Sequence, residues 1–122
     1  MIHEAILCLG SNTPCRRQAV EEAVSRLATV ARIESRSGEC FSPDISGRGG
    51  EYLNVAVRCL TDLPLDEFSR CLSHFERLGG RLPESKSSGV MPIDIDLIVW
   101  DKAVVSPADH ARPYFQAALS TL

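Results

Sequence analysis

The chain has 122 residues, a length that suits one compact domain and leaves little room for a second. Its hydrophobic share of 44% and charged share of 24% are ordinary for a soluble globular protein. The formal net charge of −3 argues against a general nucleic-acid binder, because such proteins neutralise phosphates with a positive field. We therefore expect one small domain, residues 1–122, that binds no nucleic acid.

The five cysteines are odd in number and none is paired in a CxxC motif, which favours reduced thiols in a cytoplasmic protein. The N-terminus lacks the basic start of a signal peptide. No apolar stretch approaches the ~20 residues of a membrane span, so we expect no membrane partner. The sequence leaves both a monomer and a homodimer open.

The first half of the chain predicts a strand, a helix and a second strand. Residues 5–9 form an apolar run, and Gly10 and Ser11 after it suggest a turn into the next element. Apolar residues recur at helical spacing over residues 14–31. Residues 33–41 predict a weak strand interrupted by Gly38.

The second half begins with a loop over residues 42–50 and an alternating strand over residues 52–60. A helix follows from Pro64 to about residue 79, with acidic residues in its first turn. Residues 79–89 are polar and glycine-rich, which predicts a long mobile loop or lid. Residues 93–100 give the clearest strand, and residues 101–122 remain ambiguous, with a possible short helix after Tyr114.

This order of elements, β-α-β-β-α-β, is that of the ferredoxin-like fold. We therefore predict an α+β protein with a four-stranded antiparallel sheet and two helices on one face.

The last strand carries two aspartates on the same face. Side chains alternate along a strand, so Asp94 and Asp96 point together, about 6.6 Å apart by strand rise. The alternation assigns the opposite, core-facing side to Ile93, Ile95, Leu97 and Val99. Paired carboxylates repel unless a cation lies between them, and Mg²⁺ prefers such ligands together with phosphate oxygens. The alternative is an ordinary solvated sheet face.

Three motifs in this order resemble 6-hydroxymethyl-7,8-dihydropterin pyrophosphokinase of folate biosynthesis. They are Leu9-Gly10-Ser11-Asn12, Tyr52-Leu53-Asn54-Val55-Ala56-Val57 and Ile93-Asp94-Ile95-Asp96-Leu97, with Glu76 and Gly80-Arg81 between the last two. The resemblance covers residues 5 to about 101, and residues 102–122 are a short or divergent continuation.

The resemblance implies transfer of diphosphate from ATP to the pterin hydroxymethyl oxygen, with release of AMP. It implies two Mg²⁺ ions held by Asp94 and Asp96, and an Arg81 guanidinium that binds phosphate oxygens. The alternative for Arg81 is a solvated loop side chain.

The resemblance also implies a pterin site. Ser42, Pro43 and Ile45 match its loop, Asn54 matches an amide that bonds the pterin edge, and Tyr52 matches an aromatic that stacks on the ring. Purely structural roles remain the alternative for Asn54 and Tyr52.

Two segments depart from the family pattern. Residues 88–92 lack the family's tryptophan and second arginine, the latter replaced by Met91. Tyr114 stands near the place of the family's C-terminal histidine, beside His110, and Phe115 is a candidate for a second ring-stacking aromatic. A non-catalytic relative that binds a pterin or nucleotide is therefore an alternative, and an RNA-binding or regulatory ferredoxin-like domain is a further one.

Overall fold

The computed structural model describes residues 1–43, 50–81 and 89–122. The strands in these ranges are β1 (His3–Ser11), β2 (Arg32–Arg36), β3 (Cys40–Ser42), β4 (Tyr52–Thr61), β5 (Asp94–Trp100) and β6 (Ala103–Val104). The helices are α1 (Arg16–Leu27), α2 (Leu65–Leu78), α3 (Pro107–His110) and α4 (Pro113–Leu119). No helix within the described ranges has the length and apolar character needed to cross a membrane.

The strands form one antiparallel sheet in the order β2-β4-β1-β5-β6, and β3 also pairs with β4. The fold is α+β and ferredoxin-like, as predicted, although the sheet has more than the four strands expected. The additional strands are small. β6 is a two-residue hairpin partner of β5, and β3 comes from division of a predicted strand.

The predicted strand over residues 33–41 is divided at Ser37. The backbone N–H of Ser37 donates to the carbonyl of Ala56 at 2.9 Å, and its hydroxyl accepts the N–H of Ala56 at 2.8 Å. A side-chain oxygen thus takes the place of a ladder carbonyl, and β2 and β3 continue on either side of this point along β4.

Helices α1 and α2 cover one face of the sheet, as predicted. Hydrophobic residues recur about every 3.6 positions in each helix and so form one apolar side. Alternation along β1, β4 and β5 gives the sheet an apolar face, and the helices pack on it. The core on this face includes Leu7, Leu9, Val20, Leu27, Val55, Val57, Phe68, Leu72, Phe75 and Ile95.

A second, smaller core lies on the opposite face, where α4 packs against the sheet. Its buried members are Ile6, Cys8, Ala56, Ile98, Val99, Phe115 and Ala118. Because α4 spans only seven residues, it covers one end of this face and leaves the other end available for a site.

Val99 is on this second face, so the prediction that it joins Ile93, Ile95 and Leu97 is wrong. The pairing of β1 with β5 shifts between Ile6 and Leu7: Ile6 opposes Val99 and Leu7 opposes Leu97. The extra residue, Ile98, forms a bulge that reverses the alternation after Leu97.

Candidate functional site

One row of residues crosses the second face where α4 does not cover it. Gly10 of β1 pairs with Asn54 of β4 on one side and with Asp94 of β5 on the other. In a neighbouring row Cys8 pairs with Asp96. Three strands therefore present an amide, a bare backbone and two carboxylates side by side. The interpretation of Gly10 and Ser11 as a turn is wrong, because both belong to β1.

Gly10 lets the Asn54 side chain lie across the sheet. A Cβ atom at Gly10 would be 2.8 Å from Asn54 Oδ1, closer than real contacts of this kind, and 3.6 Å from the ring of Tyr52. Asn54 Nδ2 donates to the Cys40 carbonyl at 3.2 Å and to Ser42 Oγ at 2.9 Å. Both amide hydrogens have partners, so the carbonyl oxygen is the group that Asn54 offers above Gly10.

These residues form the floor of a cavity of about 880 Å³. The floor contains Cys8, Gly10, Asn54, Asp94 and Asp96, and other lining residues come from β3, the start of β4 and the segments around Arg81, Met91 and α3. A volume of this size is typical of small-molecule sites.

The carboxylate pair is electrostatically strained. Burial raises the pKa of Asp96, and the charge of Asp94 and a hydrogen bond with it raise that pKa further. Among the described residues, no group of three or more His, Cys, Asp or Glu side chains is arranged to hold a metal ion. Asp94 and Asp96 supply hard oxygen ligands that suit Mg²⁺, but other ligands would have to complete its coordination.

Arg81 lies against this pair. Its Nη1 donates to Asp94 Oδ1 at 2.9 Å and also to Glu76 Oε2. The chain turns back after α2 at Gly79 and Gly80. A Cβ at Gly79 would be 2.5 Å from Ile93 Cγ2, and Gly80 has φ of +98°, so both positions require glycine.

The segment after β6 supplies another wall of the cavity. Asp109 accepts hydrogen bonds from Ser106 Oγ at 2.7 Å and from Arg112 Nε at 3.2 Å. Tyr114 follows at the start of α4 and lines the cavity with Asp109 and Arg112. Burial raises the pKa of the Tyr114 hydroxyl, so it remains protonated and able to donate a hydrogen bond.

Asn12 fixes the wall that leads into β5. Its Nδ2 donates to the Gly89 carbonyl at 2.7 Å, its Oδ1 accepts the Met91 N–H at 2.6 Å, and its backbone N–H donates to the Met91 carbonyl at 3.2 Å. The Asn12 side chain therefore continues the hydrogen bonding of β1 to residues 89–91, and Met91 is buried there.

A family model described as 7,8-dihydro-6-hydroxymethylpterin-pyrophosphokinase (HPPK) matches residues 6–122. The chain belongs to the HPPK family. A search of curated proteins found no match. Among solved structures, the chain is similar to an unknown protein from Galdieria sulphuraria at 22% identity and a TM-score of 0.48. The match covers 79% of this chain and 48% of that one, so the chain spans about half the length of that relative.

The residues predicted for the HPPK site lie together. The cavity is lined by Ser42, Pro43, Tyr52, Asn54, Arg81, Asp94 and Asp96. Ile45 lies outside the described residues, and so do residues 82–88 of the predicted lid.

The sequence prediction missed the contribution of the C-terminal segment. Phe115 is wrong as a ring-stacking candidate, because it is fully buried in the second core, whereas Tyr114 lines the cavity. Asp109 and Arg112 were not predicted at all. The sequence did carry a signal. Ser106-Pro107 is typical of a helix start, and Asp109 and Arg112 follow it three residues apart, a spacing that favours an ion pair.

Proposed function

We propose that this protein transfers the terminal diphosphate of ATP to the hydroxymethyl oxygen of 6-hydroxymethyl-7,8-dihydropterin. The P–O bond between the α- and β-phosphates breaks, a new P–O bond forms to the pterin oxygen, and AMP leaves. The observation that carries the proposal is the single row Asn54, Gly10 and Asp94, in a cavity of an HPPK-family chain. In this row a side-chain amide lies near a carboxylate, which supports a pterin edge bound close to a metal-bound phosphate chain.

The pterin half of the cavity is centred on Asn54. Its Oδ1 is an acceptor and its Nδ2 is already engaged, so it suits the edge of the pterin that carries an amino group and a ring N–H. Tyr52 and Tyr114 supply aromatic surface for a flat ring, and the missing side chain at Gly10 leaves the backbone accessible beneath it. Ser42 and Pro43 complete this end.

The nucleotide half is centred on Asp94 and Asp96. These two carboxylates would hold Mg²⁺, with phosphate oxygens and water as the remaining ligands, and the ion would neutralise the phosphate charge. The paired carboxylates repel each other, and a divalent ion would relieve that repulsion. Arg81 and Arg112 both line the cavity and could bind phosphate oxygens through two N–H groups each.

The spacing of the two halves supports transfer between them. Asn54 and Asp94 are two strands apart, which is about 10 Å in a sheet with strands spaced 4.7–4.9 Å apart. A pterin anchored at Asn54 would extend its hydroxymethyl group toward the carboxylates. The chain's contribution would be positioning and charge stabilisation, as in other phosphoryl transfers.

We further propose that the protein acts in the cytoplasm, where both substrates would be available. Its five cysteines are all free thiols, and Cys8 and Cys59 are buried, which suits a reducing compartment.

The direct test is to incubate the purified protein with ATP and 6-hydroxymethyl-7,8-dihydropterin, with and without Mg²⁺, and to separate nucleotides and pterins by chromatography. We expect AMP and diphosphorylated pterin in equal amounts, and only with Mg²⁺. Absence of AMP together with measurable pterin binding would favour the alternative of a non-catalytic relative. Absence of both products and binding would contradict the proposal.

A further inference from the structure

Arg81 occupies the side of Asp94 that faces the end of α2. Its Nη1 lies 2.9 Å from Asp94 Oδ1, and the same nitrogen bonds Glu76 Oε2. The three side chains are a third exposed or less, so the charges face each other with limited solvent between them. In this arrangement Asp94 has a cationic partner without any metal.

Glu76 has a hydrogen-bond partner besides Arg81, so its position does not depend on Arg81. Glu76 Oε2 accepts the N–H of Ile95 at 2.8 Å, on the edge of β5 that pairs with β6 only at Val99 and Trp100 among the described residues. The N–H of Arg81 donates to the Glu76 carbonyl at 3.1 Å. The side chain and backbone of Glu76 thus tie Arg81 to the same strand that carries Asp94 and Asp96.

We propose that Arg81 is a built-in counter-ion of the carboxylate pair, which leaves Asp94 when a divalent ion binds and remains tethered to Glu76. Arg81 and the divalent ion would then compete for Asp94. The inference rests on the metal site of the proposed function. It adds that the divalent ion displaces Arg81 from Asp94 when it binds. The guanidinium becomes available for phosphate oxygens only after the ion has taken its place.

This exchange predicts effects of opposite sign. Without Arg81, a divalent ion alone meets no competing positive charge, so its affinity should increase. A nucleotide with its metal loses a phosphate partner, so its affinity should decrease. An arginine that only binds phosphate would leave the affinity for the ion alone unchanged.

The experiment measures binding of Mn²⁺ alone, through loss of the electron paramagnetic resonance signal of the free ion, and compares the unaltered protein with Arg81→Met. The matched control is Arg77→Met, which removes a charge of the same sign from an exposed position in the last turn of α2, four residues before Arg81. Arg81→Lys tests the charge itself, because lysine keeps it. The second ligand is a non-hydrolysable ATP analogue with Mg²⁺, measured by calorimetry.

We expect Arg81→Met to bind Mn²⁺ about tenfold more tightly than the unaltered protein, and Arg77→Met and Arg81→Lys to differ from it by about twofold at most. Arg81→Met should bind the nucleotide analogue more weakly. The inference is overturned if Arg81→Met gains no Mn²⁺ affinity, which includes the case in which it binds none, or if either control gains as much. Failure of the proposed function would be seen separately, as an unaltered protein that binds no Mg²⁺-nucleotide.

Discussion

The floor and the C-terminal wall of the cavity are built in different ways. Gly10, Asn54 and Asp94 lie on adjacent strands, and the backbone ladder of the sheet sets their spacing. Asp109 and Tyr114 lie on helices of four and seven residues, which are held by local hydrogen bonds and by Phe115 in the second core. Chemistry that needs fixed distances should therefore depend on the floor, and the wall should mainly adjust affinity.

The largest expected effect is on the floor, at the carboxylate pair. Asp96→Asn removes a metal ligand but keeps the shape of the side chain. Because loss of groups that merely orient metal ligands costs 10–100-fold, we expect turnover to fall by about 100-fold or more. The fold should survive, since the neutral amide of asparagine resembles the protonated carboxyl that the raised pKa of Asp96 favours in the metal-free protein.

The matched variant on the wall is Asp109→Asn. It removes a carboxylate charge that also raises the pKa of Asp96. Steady-state kinetics at saturating Mg²⁺ should show a loss of about tenfold or less, because Asp109 is paired with Arg112 and is no ligand in this account. Equal losses in the two variants would remove the distinction between floor and wall.

The next effect is at Gly10. In Gly10→Ala the methyl group would meet Asn54 Oδ1 and displace the acceptor offered to the pterin. Leaving a polar edge unpaired costs about 1–3 kcal/mol, which is about 5- to 150-fold in pterin affinity. Gly38→Ala is the control, because no atom of the described residues lies within 4 Å of a Cβ at that position. Calorimetry showing similar pterin affinities in the two variants would contradict the role of Gly10.

A smaller effect is expected on the wall, at Tyr114. Replacement of an aromatic contact costs about 0.5–1.5 kcal/mol beyond burial, so Tyr114→Leu should weaken pterin binding about 2- to 13-fold. Phe115→Leu should lower the free energy of unfolding by about 1 kcal/mol or more instead, because Phe115 is core. Pterin titration and urea unfolding of both variants should show that Tyr114→Leu loses mainly pterin affinity and Phe115→Leu loses mainly stability. A loss of pterin affinity only in Phe115→Leu would reverse the assignment.

The last effect concerns the dependence of folding stability on pH. The pKa of Asp96 is raised from 3.8 to about 8, so the folded, metal-free protein retains a proton that the unfolded chain loses. Protonation of Asp96 therefore contributes to the free energy of unfolding in full below about pH 4, and this contribution is lost as the pH rises toward about 8. Urea midpoints measured across this window should fall more steeply for the unaltered protein than for Asp96→Asn. Parallel curves would show that Asp96 does not titrate in this range.

The sequence placed the two carboxylates of the floor correctly on one strand face, because alternation with a period of two residues is readable along β5. Asn54 was expected at the site only from the resemblance to the family, and the membership of Gly10 in β1 was not predicted. The bulge at Ile98 could not be predicted, since no glycine or other marker signals it, and Val99 was therefore assigned to the wrong face. The wall was missed because helices of four and seven residues carry too few apolar repeats to show a period.

Two other features depend on contacts between residues that are far apart in the chain. Asn12 appeared in a motif, but its partners Gly89 and Met91 are far along the chain, and no local pattern joins them. The division of a strand at Ser37 likewise results from a side-chain bond to Ala56 across the sheet. Such contacts follow from the fold and are not visible before it is known.

The central claim is that one sheet face carries two adjacent subsites, one for the pterin at Asn54 and one for the metal and nucleotide at Asp96. Calorimetry of Asn54→Ala and Asp96→Asn, each with the pterin and with a Mg²⁺-bound, non-hydrolysable ATP analogue, tests it most directly. We expect Asn54→Ala to lose about 5- to 150-fold in pterin affinity with nucleotide affinity nearly unchanged, and Asp96→Asn to show the reverse. Equal losses for both ligands in either variant, or no pterin binding by the unaltered protein, would contradict the account.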